Sequence, residues 1–553
     1  MLQTGAIMRN TAKWGVVLLA SLGFLAMGCG ASSCPSHFKT CGGKCVDIYT
    51  DPANCGACGT ACAGGNVCSA GACGLSCTAG ETACGGSCRD LQTDDANCGT
   101  CGNACTLGQH CTAGVCGCPP GMSCGPTALV YSDAASVPYP TAPEALTALG
   151  RLKGTGFGPF ATISSSGFPA FDAAYDAGGF DLLMFDNTAW GLGDDVVYRL
   201  GDWVSCGGRL MINSWTLPAL TGLASFLGVT VANPACYPTG ITPRPILSDT
   251  TAVNLWSGLA SVPSPLTASQ PNVWVPYCGS AVQTYDLTPT AGGSIAGRFT
   301  TAGTGPGAMA VTKNGHVIVS GFFPSDYRGT DGNGNGFPDV QELYENQIAY
   351  LVNQGPPGLT CSTIETFDVG TWPISPWTLA ATGIAYGSLT AACAHDGVNG
   401  FTETGGGAGN APADWYYRTT PTVGNPGQKL SMWIKTPAVI GGRAYLGAGA
   451  TANGAVALTA GLNSGNLLFQ AVTGGYAAYA QVGTPAAVAW VINTWYRMEV
   501  QFGSAGALTG VLYASDGVTV VATTSATVAG FAPGGVGIRS FGGPYCLDTV
   551  KQY

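Results

Sequence analysis

The sequence is short of charge and of histidine. Only 9% of its 553 residues are Asp, Glu, Lys or Arg, where about 25% is usual, and only four are His. The formal net charge is -10, and no cluster of Lys and Arg occurs in the chain. Without a basic patch the chain lacks the electrostatic basis for binding nucleic acid, so that class of function is excluded. The hydrophobic content is nevertheless 46%, so small neutral residues must cover much of the surface, as in many extracellular proteins.

No apolar run near the start is long enough to be a confident membrane span. The run "WGVVLLASLGFLAMG" at residues 14–28 follows a segment that contains Arg9 and Lys13 and no acidic residue. A transmembrane helix needs about 20 apolar residues, whereas a basic start and a shorter apolar run are typical of a signal peptide. We therefore expect residues 1–28 to direct export.

The residues around Cys29 predict how the exported chain is attached. "LAMGCG" places small residues before Cys29 and resembles a bacterial lipobox, although Ala26 occupies the position where that motif prefers Leu. The resemblance implies that Cys29 is acylated and becomes the mature N-terminus of an outer membrane lipoprotein, exposed at the cell surface or secreted. The alternative is ordinary cleavage after Gly28, with Cys29 joining a disulfide.

Cysteines are concentrated between residues 34 and 124 in a tandem repeat. "ANCGACGTAC" at 53–62 returns as "ANCGTCGNAC" at 96–105, and each of eight cysteines has a counterpart 43 residues later. A fixed period of this kind indicates repeated structural units. The predicted disulfide framework comprises Cys34, Cys41, Cys45, Cys55, Cys58, Cys62, Cys68, Cys73, Cys77, Cys84, Cys88, Cys98, Cys101, Cys105, Cys111, Cys116, Cys118 and Cys124.

The CxxC spacing also allows zinc binding or redox chemistry. Against zinc, the chain is predicted to be exported, each repeat has eight cysteines, and only His37 and His110 lie nearby. Each repeat has few large apolar side chains, so burial alone does not offset the conformational entropy of folding. Disulfides, which contribute about 2–4 kcal/mol each, supply the stabilisation that burial does not. We therefore favour cross-links formed in an oxidising compartment, while the spacing leaves their connectivity open.

The pattern "CGGKCVDIYTDPANCGACGTACAGGNVCSAGAC" resembles the stigma-specific cysteine-rich family, twice over within residues 34–116. The resemblance implies a small extracellular interaction or spacer module without catalytic residues. We assign residues 29–126 to these lipidated repeats.

Residues 127–355 change to alternating strand and helix patterns. Apolar runs predict strands at 128–133, 180–187 and 209–215, and more strands within 307–323. Amphipathic segments predict helices at 142–153, 194–208, 217–228 and 340–352. Uninterrupted apolar strands that alternate with helices favour a parallel sheet covered on both faces. This arrangement resembles the class I glutamine amidotransferase-like fold, an α/β fold of flavodoxin type.

The catalytic residues of that family are missing from the matching positions. The elbow that would carry the catalytic cysteine falls at Asn213, Ser214 and Trp215, and Cys206 precedes the strand. His316 is followed by Val317 and Ile318, so the acidic partner is absent as well. We predict a non-catalytic relative. Ser214 as a nucleophile and Ser214 as a cap of the following helix are the alternatives.

One motif in this region predicts a calcium loop. In "DGNGNGFPDVQE" the oxygen-bearing positions of an EF-hand-type loop fall on Asp331, Asn333, Asn335, Phe337, Asp339 and Glu342. Side chains supply these oxygens except at Phe337, which offers its carbonyl, and Gly336 permits the sharp bend. The preceding residues do not look helical, so the loop resembles the single-helix calcium loops of dockerin-like proteins. A polar turn made by the Asn-Gly pairs is the alternative.

Beyond the linker at 353–360 the pattern predicts only strands. Short runs between Gly, Asn and Ser turns indicate an all-β jelly-roll sandwich over residues 356–553. "ETFDVGTWPISPW" and "GIRSFGGPYCLDTVKQY" resemble the paired first and last strands of a laminin-G-like or concanavalin-like fold. The aromatic residues considered as stacking faces for sugars are Trp372, Trp377, Trp415 and Tyr416, whereas Trp433, Trp490 and Trp495 are expected in the core.

Six cysteines lie outside the repeats. Cys206, Cys236 and Cys278 belong to the middle region, and Cys361, Cys393 and Cys546 belong to the last. Three in each region leaves an odd thiol in both unless one disulfide crosses between them.

These observations predict a multidomain, non-enzymatic cell-surface lipoprotein. A disulfide-stapled stalk would present a calcium-stabilised α/β domain and a β-sandwich that binds glycans or proteins, with Ca²⁺ as a structural cofactor. The alternative is a secreted hydrolase of carbohydrate or amide bonds. Its candidate carboxylate pairs, Asp194 with Asp195 and Glu342 with Glu345, are better explained by a helix N-terminus and by calcium ligation.

Overall fold

The computed structural model describes most of the chain beyond residue 33. The described residues are 34–62, 66–75, 77, 80–84, 87–94, 96–103, 110–117, 127–132, 148–149, 152, 161–164, 168–187, 191–237, 243–268, 282–300, 304–328, 331–354, 361–380, 387–403, 415–438, 441–543 and 545–553. Residues 1–28, most of the predicted helix 142–153, and Cys29, Cys105, Cys118, Cys124 and Cys278 lie outside this set. Among the described residues, no helix combines the length and the apolar character needed to cross a membrane.

The chain divides into two compact units, Met1–Ala104 with Cys111–Val115, and Cys105–His110 with Cys116–Tyr553. The repeats form small two-stranded sheets. Their strands are Phe38–Cys41 (β1) with Lys44–Asp47 (β2), Asn66–Ser69 (β3) with Ala72–Leu75 (β4), Thr82–Cys84 (β5) with Ser87–Arg89 (β6), and His110–Thr112 (β7) with Val115–Gly117 (β8).

Disulfides connect these hairpins in the same pattern in both repeats. The bonds are Cys34–Cys45, Cys41–Cys58, Cys55–Cys68 and Cys62–Cys73, followed by Cys77–Cys88, Cys84–Cys101 and Cys98–Cys111. Sequence separations of 11, 17 and 13 residues recur in this order in the second repeat. Cys116, the counterpart of Cys73, is also disulfide-bonded. The predicted framework is therefore confirmed for these residues, and so many disulfides indicate an extracellular or secreted protein.

The second unit contains a mixed sheet and a β-sandwich. The strands of the mixed sheet are Ala128–Ser132 (β9), Ala161–Ser164 (β10), Leu182–Asn187 (β11), Arg209–Ser214 (β12), Val229–Tyr237 (β13), Ile246–Ser248 (β14), Val282–Pro289 (β15), Ser294–Phe299 (β16), Gly307–Thr312 (β17) and Val317–Ser320 (β18). Its helices are Phe168–Ala177 (α1), Asp194–Ser205 (α2), Thr221–Leu227 (α3) and Asp339–Val352 (α4).

Half of this sheet is parallel, as the apolar runs predict. The order β10-β9-β11-β12-β18 joins five parallel strands, with one buried cluster packed around α2 and α3 and another around α4. The expectation of a purely parallel sheet is wrong for the other half, because β17, β15 and β13 continue the sheet antiparallel. The three-residue 3₁₀ turn Lys313–Gly315 joins β17 to β18. A connection that short can only join antiparallel strands.

The sandwich consists of fifteen antiparallel strands. They are Ser362–Glu365 (β19), Thr378–Leu379 (β20), Gly387–Thr390 (β21), Gly400–Glu403 (β22), Tyr416–Val423 (β23), Lys429–Lys435 (β24), Arg443–Thr451 (β25), Gly454–Gly461 (β26), Asn466–Thr473 (β27), Ala478–Ala487 (β28), Trp495–Phe502 (β29), Ala507–Tyr513 (β30), Val520–Thr527 (β31), Gly534–Phe541 (β32) and Cys546–Gln552 (β33). The first strand, β19, pairs with the last, β33, as predicted. The interior is a single large apolar cluster that includes Met432, Leu446, Leu458, Phe469 and Met498.

Helix α2 packs directly on one outer face of the sandwich. Val518 belongs to the apolar cluster of the helical layer, and an added Cβ at Gly201 would lie 2.3 Å from its Cγ1 atom. Gly201 thus lets the helix approach the loop between β30 and β31 closely. The disulfide Cys206–Cys361 joins the end of α2 to the chain just before β19, and Cys393–Cys546 lies within the sandwich. One bond therefore does cross between the two regions, and Cys236 is disulfide-bonded too.

Candidate functional site

The predicted calcium loop folds around its own polar side chains. Asp331 accepts hydrogen bonds from the backbone N–H groups of Asn335 at 3.1 Å and Gly336 at 2.8 Å. Asp339, the first residue of α4, accepts one from the Gly332 N–H at 2.9 Å. Gly336 has a φ of 89°, the left-handed conformation expected at the bend.

Glu342 lies at the centre of this arrangement. Its carboxylate is 1% exposed and accepts hydrogen bonds from the side-chain amides of Asn333 at 2.7 Å and Asn335 at 2.5 Å. The loop therefore brings three predicted ligand side chains together. The set Asp331, Asp339 and Glu342 is more dispersed. In the described part of the chain, three potential ligand atoms of His, Cys, Asp or Glu lie within 4.8 Å of one another only at Cys55, Cys62 and Cys73.

Those three cysteines do not form a zinc site. Each sulfur atom is already bonded to another sulfur, in Cys55–Cys68 or in Cys62–Cys73. A metal requires the free thiolate, so the disulfide interpretation of the CxxC spacing holds here.

The carboxyl ends of the parallel strands carry a buried polar network. Asn213 donates to Asp186 at 2.5 Å and accepts a hydrogen bond from the Tyr344 hydroxyl at 3.0 Å. Ser132 donates to Asp186 at 3.3 Å. The network joins three parallel strands to α4 at the edge where open α/β sheets bind their ligands.

Ser214 lacks the surroundings of a nucleophile. The side chain is fully buried, its hydroxyl donates to Asn187 Oδ1 at 2.6 Å, and it accepts the Thr216 N–H at 3.3 Å. His316 lies at the other end of the parallel strands, where its Nδ1 atom is 3.1 Å from the Gly207 carbonyl. Ser214 therefore caps the turn that follows β12 rather than the helix, which begins later at Thr221.

The carboxylate pairs of the hydrolase alternative have local structural partners. Asp194 and Asp195 occupy the first turn of α2, as predicted. Glu342 is bound by the loop amides, and Glu345 is buried at 5% exposure rather than solvated. The Gln341 side chain lies 3.5 Å from Glu345.

An aromatic face covers the outer side of one sheet of the sandwich. Its members are Trp415, Tyr417, Tyr445, Tyr476, Tyr479 and Phe541. Trp415 is fully buried, its ring centroid is 5.3 Å from that of Tyr445, and its Nε1 atom donates to the Tyr479 hydroxyl at 2.8 Å. Tyr417, Tyr479 and Phe541 are half-buried and form the accessible rim.

Arg539 lies within the aromatic face. Its guanidinium is 4.5 Å from the ring centroid of Phe541 and 5.7 Å from that of Tyr479. It also donates to the Tyr479 hydroxyl at 2.7 Å. Arg539 is only 4% exposed and holds the Tyr479 hydroxyl in place, so the surface that this face offers to a ligand consists of flat aromatic rings, which suit apolar C–H groups.

The predicted stacking residues are mostly interior. Tyr416 and Trp377 belong to the sandwich core, Trp372 packs against it, and Trp415 is buried beneath the aromatic face. Of the tryptophans expected in the core, Trp490 packs against it. Trp433 instead contacts Tyr198 of α2, with ring centroids 5.0 Å apart.

Sequence reasoning missed the rim of the aromatic face, although a signal was present. Side chains alternate between the two faces of a strand, so a buried Tyr416 places Tyr417 outside.

Trp495, which was expected in the core, contacts His395 at the junction with the helices, with ring centroids 4.9 Å apart. The position of Trp495 depends on where the helices pack, and the pattern of strand residues in the sequence carries no information about that packing.

A family model of the stigma-specific STIG1-like protein family matches residues 25–76 and 69–119. The repeat segment is thus similar to that family over well under half of the chain. No curated protein matches the chain.

Three solved structures are similar to part of this chain. The carbohydrate binding module CBM66 from Bacillus subtilis is 13% identical, with 32% of this chain and 95% of that chain covered and a TM-score of 0.25. The CBM2 module of the evolved Dit of Lactobacillus casei BL23 phage J-1 is 14% identical, with 35% and 96% covered and a TM-score of 0.26. The galectin LEC-6 of Caenorhabditis elegans is 12% identical, with 25% and 95% covered and a TM-score of 0.18. Similarity this low does not identify a ligand.

Proposed function

We propose that the chain is an exported, non-enzymatic binding protein whose β-sandwich binds glycans through the aromatic face. The observation that carries this proposal is the rim of Tyr417, Tyr479 and Phe541 around Arg539. Sugar rings place C–H groups against aromatic faces and hydroxyl groups against hydrogen-bonding partners. The buried Trp415 beneath the rim holds the rings in fixed positions, which limits the entropy lost on binding.

The disulfide-bonded repeats fit an exported stalk. Acylation of Cys29 would attach this stalk to the outer membrane, with the sandwich at the cell surface. Disulfide cross-links support a small repeat that has little apolar core of its own. This part of the proposal rests on the sequence around Cys29.

We further propose that the loop at 331–342 binds Ca²⁺ as a structural cofactor. The side chains of Asp331, Asn333, Asn335, Asp339 and Glu342 would hold the ion, together with the carbonyl of Phe337. The proximity of both asparagine side chains to the buried Glu342 carboxylate supports the proposal, and calcium ligation would require each amide to turn its oxygen toward the ion in place of the nitrogen that now donates to Glu342. A bound cation would compensate this buried negative charge and stabilise the start of α4.

The parallel half of the mixed sheet supports the flavodoxin-type resemblance. Its five strands follow the order 2-1-3-4-5 when numbered along the chain, which is the order of flavodoxin-like sheets. We propose that this layer is a non-catalytic relative of such folds and that it supports the sandwich.

A glycan array probed with the full-length protein tests the binding function. Tyr417→Ala should weaken binding to the glycans captured by the wild type about tenfold, because the variant loses an accessible ring while the buried cluster remains. Tyr350→Ala is the matched control, since Tyr350 is a half-buried tyrosine on α4. Equal binding by both variants, or capture of no glycan by the wild type, would contradict the proposal.

A further inference from the structure

A cleft that is separate from the aromatic face lies between helices α1 and α2 and the strands β19 and β33. Its volume is about 310 Å³, at the lower end of the range for small-molecule sites, about 300–1,000 Å³. The cleft is lined by Tyr175, Asp176, Tyr198, Arg199, Asp202, Thr363, Thr366, Asp396, Thr549 and Lys551. We call it the interlayer cleft.

The floor of the interlayer cleft is an ion pair between the buried Asp202 and the partly buried Lys551. Asp202 is 4% exposed and accepts hydrogen bonds from Lys551 Nζ, the Tyr175 hydroxyl and the Tyr553 hydroxyl, each at 2.9 Å. Burial opposes the charge of Lys551, but Asp202 outweighs it and holds the pKa of the ammonium above its ordinary value. An ammonium has three donors, and within the described part of the chain Lys551 uses one of them.

Carboxylates outnumber cations around the interlayer cleft. Arg199 contacts both Asp176 at 2.8 Å and Asp172 at 3.3 Å, and Lys551 is paired with Asp202. Asp396 is the fourth carboxylate near these two cations, and His395 Nδ1 lies 3.1 Å from one of its oxygens. The Asp396 side chain is 30% exposed, and its pKa is lowered, since contacts with His395 and nearby cations outweigh burial. The cleft therefore has excess negative charge at its accessible wall.

The remaining lining supplies hydroxyl groups. Tyr198 is 5% exposed and lines the cleft, with its ring centroid 5.0 Å from that of Trp433. Thr363 and Thr366 lie at the same cleft, and Thr549 donates to Asp396 at 3.2 Å. Such a lining suits a ligand whose own hydroxyl groups can both donate and accept.

We propose that the interlayer cleft binds a small cationic, polyhydroxylated molecule, that is, an amino sugar with a free amine. The amine would pair with Asp396, and the sugar hydroxyls would bind Lys551, Tyr198 and the threonines. The volume admits one sugar ring, so the ligand is either a free monosaccharide or the terminal unit of a polymer.

Calorimetric titration of the full-length protein with four probes tests this site. D-glucosamine should bind at least tenfold more tightly than D-glucose, which lacks the amine, and N-acetylglucosamine, which lacks the charge. Putrescine, an amine without hydroxyls, should also bind more weakly. Equal affinities for glucosamine and glucose, or for glucosamine and putrescine, would overturn the proposal. A glucosamine-terminated oligomer then distinguishes a polymer end from a free sugar.

Two variants locate the binding to the cleft. Asp396→Asn should reduce glucosamine affinity to that of glucose, whereas Asp195→Asn, an exposed acid on α2 outside the cleft, should change nothing. Thr366→Val, at an exposed position, should weaken glucosamine and glucose alike. Unchanged affinity in both cleft variants would overturn the assignment. Tyr417→Ala should leave glucosamine binding intact, so failure of the aromatic-face proposal remains distinguishable.

Discussion

Lys551, near the end of the last strand, donates a hydrogen bond to Asp202 of helix α2 across 349 positions of sequence at 2.9 Å. Asp202 is buried between the helical layer and the sandwich, Lys551 is partly buried, and the Tyr553 hydroxyl binds the same carboxylate. Asp202 thus joins two regions that the sequence pattern presents as separate.

Asp202→Asn should destabilise the protein strongly. Removing one charge of a buried pair leaves the other uncompensated, which costs about 3–5 kcal/mol of unfolding free energy. Asp176→Asn, whose side chain is 59% exposed, is the matched control, and a pair this exposed contributes under about 1 kcal/mol. Urea unfolding measures both. Similar losses of unfolding free energy in the two variants would mean that the pair Asp202–Lys551 contributes no more to stability than an exposed ion pair.

Gly201→Ala should also destabilise, although alanine is the better helix former by about 1 kcal/mol. The added Cβ would meet Val518 Cγ1 at 2.3 Å, and overpacking of this kind costs about 1–3 kcal/mol. Gly191→Ala serves as the comparison, because an added Cβ there meets no atom within 4 Å. If Gly201→Ala raises the urea midpoint as much as Gly191→Ala, the helix and sandwich do not touch in solution.

Calcium should raise the melting temperature of the full-length protein, with half-saturation near 10⁻⁴–10⁻³ M, as is typical of extracellular sites. Glu342→Gln should abolish the shift, because the loop loses its buried carboxylate. Asp195→Asn should retain the shift. Thermal unfolding with added CaCl₂ or EDTA makes the measurement, and an undiminished calcium response in Glu342→Gln would contradict the loop assignment.

Digestion without reduction should release cross-linked peptides that match the disulfides described above. The pair Cys206–Cys361 is the most informative, because it links the two layers of the second unit. Mass spectrometry identifies each pair, and alkylation without reduction counts free thiols. Free thiols at the repeat cysteines, or zinc bound in proportion to the protein, would contradict the cross-linked repeats.

The sequence predicted local structure better than it predicted assembly. The strands around Leu183 and Leu210 are apolar runs, and the structure has strands at both predicted positions. Strand direction was harder, since β17 and β18 carry apolar runs typical of a parallel sheet. Their antiparallel pairing depends on the short turn at Lys313–Gly315, and the pattern of apolar residues does not predict such a turn.

The candidate sites divide in the same way. The candidate calcium loop could be predicted from the sequence because its proposed ligands follow one another at fixed spacing, from Asp331 to Glu342. The interlayer cleft was not visible, because Asp202, Asp396 and Lys551 come from distant segments that meet only after the helices pack on the sandwich. Lys551 alone is indistinguishable in sequence from a solvated lysine.

Each described disulfide of the first repeat joins two cysteines of that repeat, and the described disulfides of the second repeat have the same connectivity. A whole copy of the unit, from Cys34 to Cys73, could therefore be duplicated or deleted by recombination without leaving any cysteine unpaired. Such a gene can lengthen or shorten its spacer in steps, leaving the downstream layers untouched.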